Sequence, residues 1–185
     1  MVRQNWTSPT NNGIIKRVIE MIGDILFFRK TNSWISKVIA KVTKGDFTHV
    51  GLIVSYDELT GVATIIESNR FIETRMTTLI IDDKYSIFST GFKPDWQTEM
   101  IIGYAFGALG TKYDYFHIIG LAVSLLFKKD RYAFFNLKNR VICSELIDLA
   151  YFEAGVARKN SANLGNITPQ ELIDVYDLKE IRKGV

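Results

Sequence analysis

The chain has 185 residues, enough to bury a sizeable core, and 47% hydrophobic against 23% charged residues is the balance of a globular protein. A net charge of +3, with no interleaving of basic and aromatic residues, gives no footing to a nucleic-acid-binding role. A single cysteine excludes an internal disulfide framework and a multi-cysteine metal site, and fits a reducing compartment.

Residues 1–12 are polar and read as a loose arm without the apolar stretch of a secretory signal. Ile14, Ile15, Val18, Ile19 and Ile22 recur at helical spacing, so a helix over 13–22 is expected, stopped by Gly23. Asp24 to Arg29 reads as a buried strand. Ser33 caps a short amphipathic helix reaching Val42, with Trp34, Val38 and Ile39 inward. Phe47–Tyr56 and Val62–Asn69 read as a hairpin joined by Asp57 to Gly61, followed by strands over 75–81 and 85–89. Pro94 and Asp95 open a helix over about 96–109, ended by Gly110. A second long helix runs from Cys143 to Ala154, ended by Gly155. Thr168-Pro169-Gln170-Glu171 spells cap, N1 proline and capping-box partner of a last short helix. Strands come first and helices later, which predicts an α+β class. No repeat or linker divides the chain, so residues 1–185 are expected to form one domain. The longest apolar run, Ile118 to Phe127, is ten residues, half of the roughly twenty that a spanning helix needs. A soluble, cytoplasmic protein is therefore expected, reaching other places only in a virion or by lysis.

Cys143 stands where an apolar, strand-like run turns into a helix. A thiol in the first turn feels the positive end of the helix dipole, which favours the thiolate. His49 lies on the expected strand over 47–56. Alternation places it on one face with Phe47, Gly51 and Ile53, and Gly51, lacking a side chain, leaves room beside the imidazole for a substrate. If Tyr56 pairs with Thr60, His49 lies opposite Glu67. A register two residues longer sets Asn69 opposite and Glu67 on the diagonal. Either neighbour fixes the imidazole tautomer and leaves the other ring nitrogen for the thiol proton. Cysteine on a helix start with histidine on a strand is the working part of a papain-like thiol enzyme. The alternative for Cys143 is a small buried hydrophobe. Ser144 points about 100° away around the helix and is the weaker nucleophile. Glu145 and Asp148 read as solvated residues that complement the helix dipole, and His117 as a packing residue in an aromatic stretch. Two histidines and one cysteine without close spacing predict neither a metal site nor a cofactor.

These residues resemble the NlpC/P60 superfamily of papain-like cysteine hydrolases, and within it the circularly permuted, YiiX/YaeF-like branch. The resemblance rests on segments in that branch's order: Gly23-Asp24-Ile25-Leu26-Phe27, Thr48-His49-Val50-Gly51-Leu52, Ile66-Glu67-Ser68, Gly110-Thr111-Lys112-Tyr113-Asp114, Cys143-Ser144-Glu145-Leu146 and Thr168-Pro169-Gln170-Glu171-Leu172. It covers about residues 23–175. It implies a small antiparallel sheet or half-barrel packed on the cysteine-bearing helix, with Cys143 as nucleophile, His49 as base and Glu67 as the orienting third residue. Tyr113 matches the substrate-lining tyrosine of the Gly-x-Pro-Tyr motif of non-permuted relatives, with Lys112 in the proline's place. Tyr113, Asp114, Gly51 and Asn69 are the candidate substrate-binding residues.

Members are typically amidases or peptidases, many acting on peptidoglycan stem peptides, and others move acyl groups on lipids. The first expectation is thus a thiol hydrolase cutting an amide bond in a peptide or peptidoglycan fragment. A second is lipid acyl chemistry on an anionic membrane surface, for which Ile118–Phe127 and the following Lys128, Lys129, Arg131, Lys138 and Arg140 would supply the contact. A third is a non-catalytic virion or scaffold component that retains the fold.

Overall fold

Strands β1 (Ile25–Arg29), β2 (Phe47–Asp57), β3 (Val62–Ser68), β4 (Thr74–Ile80), β5 (Tyr85–Ser89) and β6 (Lys179–Lys183) pair into one antiparallel sheet, in the order β4-β3-β2-β1-β5-β6. Helices α1 (Asp95–Gly107), α2 (Cys143–Glu153) and α3 (Pro169–Tyr176) complete an α+β arrangement. The computed structural model describes residues 21–30, 45–68, 73–112, 143–159 and 164–183. The helix expected over 33–42, and nearly all of that over 13–22, fall outside them. Strand β6 was not expected from its sequence. Lys-Glu-Ile-Arg-Lys holds one apolar residue, the charged composition of a strand that closes a sheet edge.

Each face of the sheet carries a core. On one, Ile25, Phe27, Phe47, Val50, Leu52 and Ile66 meet Leu146, Ile147, Ala150 and Tyr151 of α2 and Leu172 and Tyr176 of α3. On the other, Leu26, Ile53, Ala63, Ile65 and Ile87 pack together. Each such aliphatic side chain taken from water contributes about 1.5–3 kcal/mol. The sheet also curls. The Arg182 guanidinium on β6 lies 5.2 Å from the centre of the Tyr56 ring on β2, although two strands separate them and a flat sheet would hold them about 14 Å apart.

Two bulges in β2 decide which side chains face which core. Thr48 is the extra residue between the pairs Phe28 with His49 and Arg29 with Phe47, and Val54 is extra beyond Ile53. Each inserted residue reverses the alternation. Phe47 therefore joins Val50 and Leu52 on the helix side, and strict alternation, which put it on the face of Ile53, is overturned.

Helix α2 has no solvated side in its first turns. Glu145 and Asp148, expected to be solvated, are buried, as are Ser144 and Tyr151. Partners far along the chain make this burial tolerable. Asp148 accepts a fork from Arg158 (3.0 and 3.1 Å), the Tyr176 hydroxyl (2.7 Å) and the Gly165 N–H (2.8 Å). Tyr151 donates to the Gly23 carbonyl (2.7 Å), and Asp24 beside it pairs with Lys93 and accepts from Ser89 (2.7 Å). Burial pushes the Asp24 carboxyl above its usual range against the pull of Lys93. The capping box of α3 forms as its sequence spells it. Glu171 N–H donates to the Thr168 hydroxyl (3.2 Å), and Thr168 N–H donates to the Glu171 carboxylate (2.8 Å).

Candidate active site

One row of side chains crosses the sheet near the start of β2. Phe28 pairs with Tyr85 on one side and with His49 on the other, and their rings meet edge-on with centroids 5.0 and 4.7 Å apart. Past His49 the row continues as Glu67 on β3 and its direct partner Arg75 on β4. Between β2 and β3 the pair Leu52 with Ile66 sets the local register. One further step along it puts Glu67 beside Gly51, diagonal to His49, which is the longer of the two registers weighed from sequence. Near the turn the register is one residue longer still, Asp57 with Val62, and the bulge at Val54 takes up the difference. Glu67 still reaches the imidazole, its Oε2 lying 2.7 Å from His49 Nε2.

Cys143 opens α2, which lies against β2, and its thiol hydrogen-bonds His49. Since Nε2 is taken by Glu67, Nδ1 is the nitrogen left for the sulfur. Cys143 and His49 are each 7% exposed and Glu67 4%. Burial alone would pull the imidazole pKa down. The charge and hydrogen bond of Cys143, and those of Glu67, outweigh it and raise the pKa from 6.5 to about 9. The dipole of α2 adds its positive end at the sulfur. A thiolate–imidazolium pair at neutral pH is what this arrangement favours.

Cys143, His49 and Glu67, singled out on separate elements, are thus brought together. Tyr113, Asp114, Asn69 and His117 lie outside the described residues. Gly51 does not open a space for a substrate. A Cβ built there would sit 2.7 Å from Cδ1 of the buried Ile65, so the missing side chain admits Ile65 instead. Gly51→Ala is expected to cost about 1–3 kcal/mol through overpacking, read as a lower urea midpoint. A midpoint equal to the parent's would show that Ile65 yields freely. Ser144 is occupied, its hydroxyl donating to the Ile167 carbonyl at 2.6 Å. Arg75 went unnoticed in the sequence. Its Nε and Nη2 hold Glu67 Oε1 at 3.1 and 3.0 Å. The signal was a cation directly across the β3–β4 hairpin from Glu67, readable only once that register is known.

No family model matches the chain, and no curated protein matches it. Among solved structures it is similar to one described as metalloprotein YiiX of Escherichia coli O157:H7 (DUF1105). The TM-score is 0.59 at 20% identity, covering 88% of this chain and 97% of that one. The chain has a YiiX-like fold, in line with the order of its motifs. The word metalloprotein belongs to that neighbour. Here, among the described residues, no three of His, Cys, Asp and Glu form a group that could hold a metal ion. His49 spends one nitrogen on Glu67 and the other on Cys143, and an arginine occupies the second carboxylate oxygen, so these residues do not fit a metal. Among the described residues no helix is long and apolar enough to cross a membrane.

Proposed function

We propose that the chain is a thiol hydrolase of the permuted papain-like kind, cleaving an amide bond in a peptide or a peptidoglycan fragment with Cys143, His49 and Glu67. One observation carries this reading: a buried imidazole bonded on one side to a carboxylate and on the other to a thiol at the start of a helix. Cys143 Sγ attacks the carbonyl carbon, and the backbone N–H of Cys143, at the helix start, donates to the oxyanion. His49, holding the proton taken from the thiol, delivers it to the leaving amine as the C–N bond breaks. Water then attacks the thioester, its proton passing to His49. The acid departs, and the thiol is restored. Glu67 holds the ring by its Nε2–H throughout. A peptide and muropeptide panel, read by amine release, tests the proposal. Turnover is expected with the parent chain and loss of at least about a thousandfold with Cys143→Ala. Release that survives Cys143→Ala would refute it.

A further inference from the structure

Arg75 stands in a place where strand formation does not call for it. It is the only charged residue of β4, Thr-Arg-Met-Thr-Thr-Leu-Ile, and it interrupts a strand otherwise made of β-branched and aliphatic side chains. An exposed arginine–carboxylate pair would contribute little. This pair is lopsided, with the Arg75 side chain 40% exposed and the Glu67 side chain 5% exposed. The guanidinium reaches inward from the rim with two N–H groups on a single oxygen, Oε1.

The backbone that carries Arg75 is itself pinned. Thr74 N–H donates to the Thr111 carbonyl and Gly110 N–H to the Thr74 carbonyl, both at 2.8 Å, and the hydroxyls of Thr74 and Thr111 meet at 2.8 Å. Gly110 turns the chain there at φ +78°, and Glu73 bridges to Lys112. The turn after α1 thus clamps the start of β4 beside the charge row, a rigid base for a side chain that must hold another in place.

We propose that Arg75 is a positioning residue for the thiolate–imidazolium pair, acting through Glu67. The inference rests on the thiol-hydrolase reading of the site. Two physical effects work in the same direction. A carboxylate bonded by one oxygen can rotate and offer either oxygen, so saturating Oε1 reserves Oε2 for His49 Nε2. The ionised site also reads thiolate, imidazolium, carboxylate, guanidinium, which sums to zero. Removing the guanidinium leaves one negative charge in excess in a buried place, and burial then favours taking up a proton at Glu67 or at Cys143. Either outcome weakens the reactive thiolate at low pH. Arg75 touches neither sulfur nor imidazole in this scheme, which separates it from the catalytic residues.

The test is the pH profile of Cys143 alkylation by iodoacetamide in the parent chain, His49→Ala, Arg75→Met, Arg75→Lys, Glu67→Gln and the double variant Arg75→Met/Glu67→Gln. Arg75→Met is expected to slow alkylation at pH 6 by about threefold, the effect of one pKa unit on the thiolate fraction less the gain in nucleophilicity. Arg75→Lys, with the charge but not the fork, is expected to fall short of the parent. Added to Glu67→Gln, Arg75→Met should change much less than it does alone, because its route through Glu67 is already cut. A merely structural arginine would lower the melting temperature and leave the profile where it was. Parent-like alkylation in Arg75→Met, full recovery by lysine, or additive effects in the double variant would each overturn the proposal while the thiol–imidazole reading stood. A parent profile identical to that of His49→Ala would remove that reading, and the role of Arg75 with it.

Discussion

Replacing His49 by alanine is expected to erase the low-pH reactivity of Cys143. A free thiol, with a pKa of about 8.5, is almost wholly protonated at pH 6. In the parent, the imidazolium persists up to a pKa of about 9, so a thiolate beside it survives at pH 6. A thiolate of lowered pKa is also a weaker nucleophile, which trims the advantage. The net expectation is alkylation faster in the parent than in His49→Ala by on the order of tenfold at pH 6. The two curves should converge as the pH rises past about 9, where the imidazolium is lost. The same group makes stability depend on pH. Its folded pKa of about 9 stands above the unfolded 6.5, so its contribution is complete below 6.5 and fades as the pH rises through 9. The stability gap between parent and His49→Ala should narrow over that window. A gap that widens there would contradict the charge state assigned to His49.

The second large effect concerns Asp148, which takes no part in the chemistry. Asp148→Ala removes at once the acceptor of the Arg158 fork and of the Gly165 N–H and the nearer of the two acceptors of the Tyr176 hydroxyl. Arg158, its side chain 4% exposed, is left as a buried cation without that carboxylate. Breaking a buried pair from one side costs about 3–5 kcal/mol. Urea denaturation should show the midpoint falling by that free energy divided by the slope, with the slope itself unchanged. Asp148→Asn keeps acceptor and shape and should lose less. A change within about 0.5 kcal/mol for Asp148→Ala, the range of an ordinary surface substitution, would mean the network adds nothing. The buried Tyr176 hydroxyl, whose proton is held far more tightly than usual by burial and by Asp148, would keep only the backbone carbonyl of residue 148, at 2.9 Å, as acceptor in the same variant.

Local signals in the chain mapped well onto local structure. The apolar runs became β1, β2, β3 and β5, and the capping box became the start of α3. Gly110 and Gly155, read as helix stops, do adopt positive φ, although α1 itself ends at Gly107. Cys143, His49 and Glu67 were conspicuous because each is a reactive or ionisable group at the end of an apolar stretch. Facts set by distant partners were not readable. The bulge at Thr48 that reverses Phe47 lies in the pairing of β2 with β1, a strand not local to it. Asp148 looked like a solvated dipole residue because its partners lie at Arg158, Gly165 and Tyr176. Arg75, at the start of the strand expected over 75–81, had no role until the hairpin register set it against Glu67. Strand β6 drew no expectation, because Lys-Glu-Ile-Arg-Lys lacks the apolar alternation of a half-buried strand and its partner β5 lies some ninety residues away.

The pairing of β5 with β6 joins segments some ninety positions apart in the chain, Ser89 with Lys179. On the ribosome, β5 is therefore made long before the strand that covers it. Until residues 179–183 emerge, the row Tyr-Ser-Ile-Phe-Ser offers open backbone groups along one side to any other extended chain. Such long-range closure is slow, and a chain waiting for it is prone to joining its neighbours. Synthesis halted just short of β6 should then yield aggregates, although the row containing His49, Glu67 and Arg75 and the helix bearing Cys143 would already have been made.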